Sequence, residues 1–175
     1  TAIDMVLQRK ADLAAVMVAD PRRFARRHRG ALEIVDWGDV PLVGVLPPEE
    51  GSAPDPLPLA AFDGATVVMP RRTAAVPSLP EAVDAAFRDH GIVPGSVRTV
   101  ETIQTSVPLI EAGVARGLMP DPDRASLARF RVTVRRLDPE PPPLRALVLT
   151  RPGADADPTL ARLLEQVAAD PANRM

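Results

Sequence analysis

The hydrophobic and polar positions of the chain alternate short apolar runs with amphipathic segments. Ile3, Val6 and Leu7 fall on one face of a helical wheel and predict a short helix within residues 1–10. Asp12 leads into LAAVMV (13–18), whose continuous apolar character fits a buried parallel strand. After a basic connection, PRRFARRHR, strands are expected over 32–36 and 42–46, with a turn at Trp37-Gly38-Asp39 between them. ATVVM (65–69) predicts another buried strand. A helix then opens at Ser78 and Pro80, with Leu79, Val83, Ala86 and Phe87 as its apolar face and Gly91 as its stop. Next come a strand over 97–101, a helix from Thr105 to about Val114, a very short strand over 117–120 and a helical turn over 121–127. Polar and apolar residues alternate from Arg131 to Leu137, as in a half-exposed strand, and Leu144–Leu149 predicts a buried one. In the last helix Asp157 stands at the cap and Pro158 at the first position, before the stripe Leu160, Leu163, Leu164, Val167.

Strands alternating with helices imply an α/β fold with a mostly parallel, helix-covered sheet. Proline divides it: Pro54, Pro56 and Pro58 form one cluster, and Pro139, Pro141, Pro142 and Pro143 another. Each cluster removes N–H donors and fixes φ, so both read as stiff connections. A first part, a middle part and a return result, the pattern of two lobes with the chain crossing twice. In such architectures ligands bind in the cleft, at strand carboxyl ends and helix amino ends.

Composition narrows the functions. Of 175 residues 46% are hydrophobic, enough for a packed interior. Aromatics are 3%, with Trp37 alone and no tyrosine, which disfavours recognition by stacking on bases or sugars. A formal charge of −2 gives the whole chain no basic footprint for DNA. The absence of cysteine excludes thiol catalysis, disulfides and thiolate zinc sites. No apolar stretch approaches the roughly 18 residues that span a bilayer, and no basic-then-apolar leader opens the chain, so a soluble cytoplasmic protein is expected. No cofactor or metal motif stands out. Neither does a Ser/His/Asp arrangement, so a non-enzyme is expected.

Gln104, Thr105 and Ser106 follow a strand and open a helix, where unpaired N–H groups and the dipole favour a carboxylate or phosphate. Simple helix capping by Thr105 or Ser106 is the competing reading. Arg71, Arg72 and Thr73 follow strand 65–69 at its carboxyl edge, where an arginine would hold an anion bidentately; a solvated loop is the alternative. Arg116 reads as a surface ion pair, and His90, beside Gly91, as a structural histidine. Asp121 and Asp123 read as caps rather than metal ligands. The run Arg22, Arg23, Arg26, Arg27, His28, Arg29 reads as a solvated loop or a surface for acidic residues of a partner subunit, ahead of a nucleic-acid patch.

The order of these segments resembles the regulatory domain of LysR-type transcriptional regulators, itself similar to two-lobed periplasmic solute-binding proteins. Leu7-Gln8-Arg9-Lys10-Ala11-Asp12-Leu13-Ala14 looks like that family's helix end and Gly-x-Leu-Asp-Leu strand. DVPLVGVLPP (39–48) resembles its strand before the first crossing, and Leu59–Gly64 with TVVMP its connector and next strand. ETIQTSVPLIEAGVARGLMP (101–120) resembles the helix ending in Ala-Gly-Leu-Gly and the short strand closed by proline; residues 135–167 match its closing strands and final helix. Departures are Glu49-Glu50-Gly51-Ser52-Ala53 in place of His-Pro-Leu-Ala, Ala115 for the second glycine, and Arg116 at a normally apolar place.

The resemblance implies a two-lobed type 2 periplasmic-binding-protein-like domain with two crossover connections. Its first subdomain would take residues 1–51 and 146–175 and its second residues 52–145, with the family's first strand–helix–strand and its winged helix-turn-helix absent ahead of Thr1. It implies an effector-binding and oligomerisation domain that senses a small anionic, carboxylate-bearing metabolite in the inter-lobe cleft. Thr105 and Ser106 would be direct contacts, then Arg72 and Thr73, with Gln104 and Arg71 nearby. Homodimers or tetramers are implied, with DNA contacted only through the winged helix-turn-helix. The alternative is a solute-binding protein of a transport system with the same fold.

Overall fold

The structure is a computed structural model that describes residues 1–71, 76–121 and 127–169. Its regular elements in chain order are α1 (Ala2–Leu7), β1 (Leu13–Val18), α2 (Pro21–Arg27), β2 (Glu33–Val40), β3 (Leu42–Leu46), β4 (Leu57–Pro58), β5 (Thr66–Pro70), α3 (Leu79–Asp89), β6 (Ser96–Val100), α4 (Ile103–Glu111), β7 (Gly117–Pro120), β8 (Thr133–Arg135), β9 (Leu137–Asp138), β10 (Leu144–Thr150) and α5 (Pro158–Ala169). They group into two compact units, one of residues 1–40, 76–78 and 144–169 and one of 41–71, 79–121 and 127–143.

The first unit is built on a three-stranded sheet of order β1-β10-β2. β10 is its middle strand, antiparallel to β1 from Leu13↔Thr150 to Val18↔Arg145 and to β2 from Leu144↔Val40 to Thr150↔Glu33. Val6, Val16, Val18, Leu32, Leu147 and Leu149 form its core, with Ile3, Phe24 and Ile34 packed against them. Thr1 and Asp4 make a capping box on α1. The Arg151 guanidinium donates to the carbonyls of Val6 (3.0 Å) and Ala11 (2.7 Å), tying the α1–β1 connection to the end of β10. Asp157 caps α5, accepting from the amides of Thr159 at 2.8 Å and Leu160 at 3.4 Å.

Two local expectations change in this unit. Trp37-Gly38-Asp39 is not a turn: β2 runs through it, and the ladder absorbs an irregularity opposite Ala146/Leu147. Gly38 has φ 126°, a conformation that glycine alone adopts freely. Arg145 closes the irregularity, donating to Asp36 at 2.6 Å and Asp39 at 2.8 Å. The basic segment is likewise no loop. Asp20 accepts from the Arg23 amide at 2.8 Å and Pro21 begins α2, so the chain uses at α2 the Asp-Pro start that it uses at α5.

In the second unit β3 is buried along its whole length, between β7 and β8 and antiparallel to both. Gly44 lets this strand sit close to its neighbours, since a Cβ there would lie 3.1 Å from side-chain atoms of Leu57 and Leu137. β4 pairs in parallel with β9, and β5 with β6. Val43, Val45, Val68, Val107, Ile110, Ala115, Met119 and Leu127 make the core around α4. The α3 face expected from periodicity is the buried one: Leu79, Val83, Ala86 and Phe87, whose ring meets Phe62 at 5.8 Å.

Among the described residues the larger ladders are antiparallel, not parallel. A run buried on both faces reports burial and leaves strand direction open, and β1 and β10 show the consequence. By its contacts the first unit runs to Val40 and resumes at Leu144. Pro54, Pro56 and Pro58 therefore lie inside the second unit, where Leu57–Pro58 forms a strand, whereas the second proline cluster leads directly into the return.

Candidate functional site

Parallel pairing of β5 with β6 brings Pro70 level with Val100, so both carboxyl ends reach one edge of the second unit, where α4 begins. The helix starts earlier than its sequence suggests. Thr102, in extended conformation, is the N-cap. The Thr105 amide donates to Thr102 Oγ1 at 3.2 Å, and the Thr102 amide donates to Thr105 Oγ1 at 3.0 Å. Two of the four donors that a helix start leaves open are thus satisfied reciprocally. By helix geometry the amides of Ile103 and Gln104 have no intrahelical acceptor, and they lie at the positive end of the dipole. Pro108 lies inside α4 instead of in its first turn; it has no N–H to give the Gln104 carbonyl.

Gln104, Thr105 and Ser106 come together in the first turns of α4, with different exposures. Gln104 and Thr105 are exposed, whereas Ser106 is fully buried. The Thr105 hydroxyl also donates to the Thr102 carbonyl at 2.8 Å, and the Ser106 hydroxyl donates to the same oxygen at 3.1 Å. Arg71 stands at the carboxyl end of β5, its amide donating to the Val100 carbonyl at 2.8 Å and its guanidinium 3.1 Å from Glu101. Both side chains of this ion pair are exposed, at 65% and 71%, so it is screened by solvent. Arg72 and Thr73 lie outside the described residues. Thr102 and Glu101 are the participants that the sequence reading missed. The Thr-x-x-Thr spacing was the available signal for Thr102, obscured because its partner at the third helical position is Thr105 and not Glu or Gln and because Pro108 drew the predicted start forward.

Other singled-out residues lie elsewhere. Arg116 follows the carboxyl end of α4. It donates to both oxygens of Glu50, at 3.0 and 2.7 Å, and to the Ala61 carbonyl, beside an open depression of about 350 Å³ that Asp63, Thr66 and Gly113 also line. His90 Nδ1 lies 2.8 Å from the Ala86 carbonyl, so this nitrogen carries the proton and the ring closes the end of α3. Asp121 is buried, its amide donating to the Pro41 carbonyl at 3.1 Å, and Asp123 lies outside the described residues. His28 packs on Phe24 at 4.6 Å; burial first, and Arg27 second, hold its pKa below the usual imidazole value. Among the described residues no helix is long and apolar enough to cross a membrane.

The chain is similar in fold to several solved regulators. Against CbnR, a LysR family transcriptional regulator, the TM-score is 0.73 at 23% identity, over 94% of this chain and 54% of that one. Against the effector binding domain of QuiR in complex with shikimate it is 0.68 at 17% identity, over 95% and 74%. Against the regulatory domain of Synechocystis PCC6803 CcmR in complex with 2-PG it is 0.68 at 18% identity, over 96% and 78%. The chain thus spans about half the length of CbnR. Comparison with curated proteins gave no match. The model of the LysR substrate binding domain matches residues 1–171, and the chain belongs to that family.

Proposed function

We propose that the chain is the effector-binding and oligomerisation domain of a LysR-type transcriptional regulator, and that a small anionic metabolite is held at the amino end of α4. The observation that carries this reading is the N-cap at Thr102, which by helix geometry leaves the amides of Ile103 and Gln104 without intrahelical acceptors, next to the hydroxyl of Thr105 and, at the strand ends, to Arg71. An anion there gains hydrogen bonds and a favourable dipole at once. Arg72 and Thr73 are the next contacts. Ser106 contributes from behind, its hydroxyl fixing the Thr102 carbonyl and hence the turn. The effector complexes of QuiR and CcmR support a binding role for the fold. The domain catalyses nothing: it acts by binding one arrangement of the regulator more tightly than another, and only that difference moves the equilibrium. Sequence-specific contact with DNA would fall to a winged helix-turn-helix, in the cytoplasm.

Calorimetric titration of the intact protein with a panel of small carboxylates and phosphorylated acids tests the proposal. Saturable binding of at least one is expected, and a Thr105→Ala, Ser106→Ala double variant is expected to weaken it about 10-fold or more, the scale of losing one hydrogen bond to a charged group. Absence of binding across the panel, or unchanged affinity in the double variant, would overturn it.

A further inference from the structure

Arg22, Arg23, Arg26 and Arg27 of α2, with Arg29 just beyond it, are all exposed. Among the described residues none of the five forms an ion pair, whereas Arg71, Arg116, Arg136, Arg145 and Arg151 each meet a carboxylate. No acidic residue occurs between Pro21 and Leu32. The charges are also badly placed for the helix itself. Arg22 and Arg23 stand at its amino end, against the dipole; Arg26 and Arg27 stand in its last turn, where the dipole favours them, yet Arg22/Arg26 and Arg23/Arg27 are like charges one turn apart. The favourable pair at the carboxyl end is offset by the pair at the amino end and by the two repulsions, so folding gains little from this arrangement, and an external anion is what it suits.

Helix geometry sets the form of that anion. Arg22 to Arg26, and Arg23 to Arg27, advance about 6 Å along the axis, and the two rows lie side by side. Phe24 packs into the core of its unit with His28 stacked on it, so the outward face offers arginines and Ala25 and no aromatic or large apolar side chain. That composition lacks the apolar anchor of a protein interface, the apolar face that inserts into a membrane surface and the stacking platform for single-stranded bases. It matches the polar, strongly positive surface that meets duplex phosphates. We infer that the α2 arginine ridge binds the phosphate backbone of duplex nucleic acid without reading its sequence. The ridge belongs to the first unit and α4 to the second, and the two readings stand or fall independently.

Fluorescence anisotropy of the whole chain with a labelled duplex of arbitrary sequence, at increasing KCl, tests the inference. Binding is expected at low salt. With about four phosphates neutralised, log K should fall against log salt with a slope of about −3.6, roughly a 100-fold loss between 50 and 200 mM. R22Q/R23Q/R26Q/R27Q should bind at least about 10-fold more weakly at the lowest salt with a flatter slope, while the corresponding four-lysine variant should retain most of the affinity. Glutamine preserves helix propensity, and far-UV circular dichroism of both variants reports whether α2 persists. Absence of duplex binding, equal binding by the glutamine variant, or failure of the folded lysine variant to retain affinity would overturn the proposal. So would tighter binding to polyglutamate, to single-stranded DNA or to phosphatidylserine vesicles, which would assign the ridge to an acidic protein, to bases or to a membrane.

Discussion

Thr102 holds the start of α4 through two reciprocal hydrogen bonds with Thr105, and its carbonyl takes the hydroxyls of both Thr105 and Ser106. Removing its side chain deletes one half of the capping box and leaves the Thr105 amide unpaired. Thr102→Ala is expected to destabilise the protein by about 1 kcal/mol, read as a lower urea midpoint at unchanged slope. Thr102→Ser should retain most of the stability, because serine offers the same acceptor. The same residue shows why this site was only partly legible. Gln104, Thr105 and Ser106 were found because they follow a strand and precede an apolar stretch. Their roles within the helix were not, because proline normally marks a first turn and Pro108 stands deeper. Asp20-Pro21 carried as clear a start signal as Asp157-Pro158, but five arginines made the segment after it read as solvated loop. Charge reports exposure, and an exposed helix is charged too.

Among the elements, β3 was legible in position and burial, and its neighbours were not. Its five residues, LVGVL, are apolar on both faces, which fixes a central place but not which strands flank it or in which direction they run. The partners β7 and β8 come from more than 70 residues further along the chain, a pairing that no local pattern encodes. The glycine in its middle gives the close packing a test. A methyl at Gly44 would meet the ends of Leu57 and Leu137, which have some freedom to yield, whereas a branched side chain would also crowd Phe62, whose ring is 3.5 Å from the added Cβ. Gly44→Val is expected to cost about 1–3 kcal/mol by overpacking, and Gly44→Ala less. Chemical denaturation of the two variants beside the parent measures both, and equal stability of Gly44→Val and the parent would show that the strand does not rely on that proximity.

At the scale of the molecule, the two units differ in how the chain builds them. The second takes its strands, β3 to β9, from the stretch 41–143, with residues 76–78 grouped elsewhere. The first draws α1, β1, α2 and β2 from the beginning of the chain and completes them with β10, which lies between β1 and β2 and pairs with both. Without β10 those two strands have no partner in the sheet among the described residues. Leu147 and Leu149 leave the core, and the carbonyls of Val6 and Ala11 lose the Arg151 donor. A chain ending at Pro143 is therefore expected to lose protection from hydrogen exchange throughout 1–40 while β3, β5 and α4 keep theirs, because the core around α4 contains, among the described residues, none beyond Pro143. Exchange measured by mass spectrometry on the truncated and whole proteins distinguishes this from the alternative. Retained protection in β1 and β2 would mean that the first unit folds without its middle strand, and the late return of the chain at Leu144 would then not be what completes it.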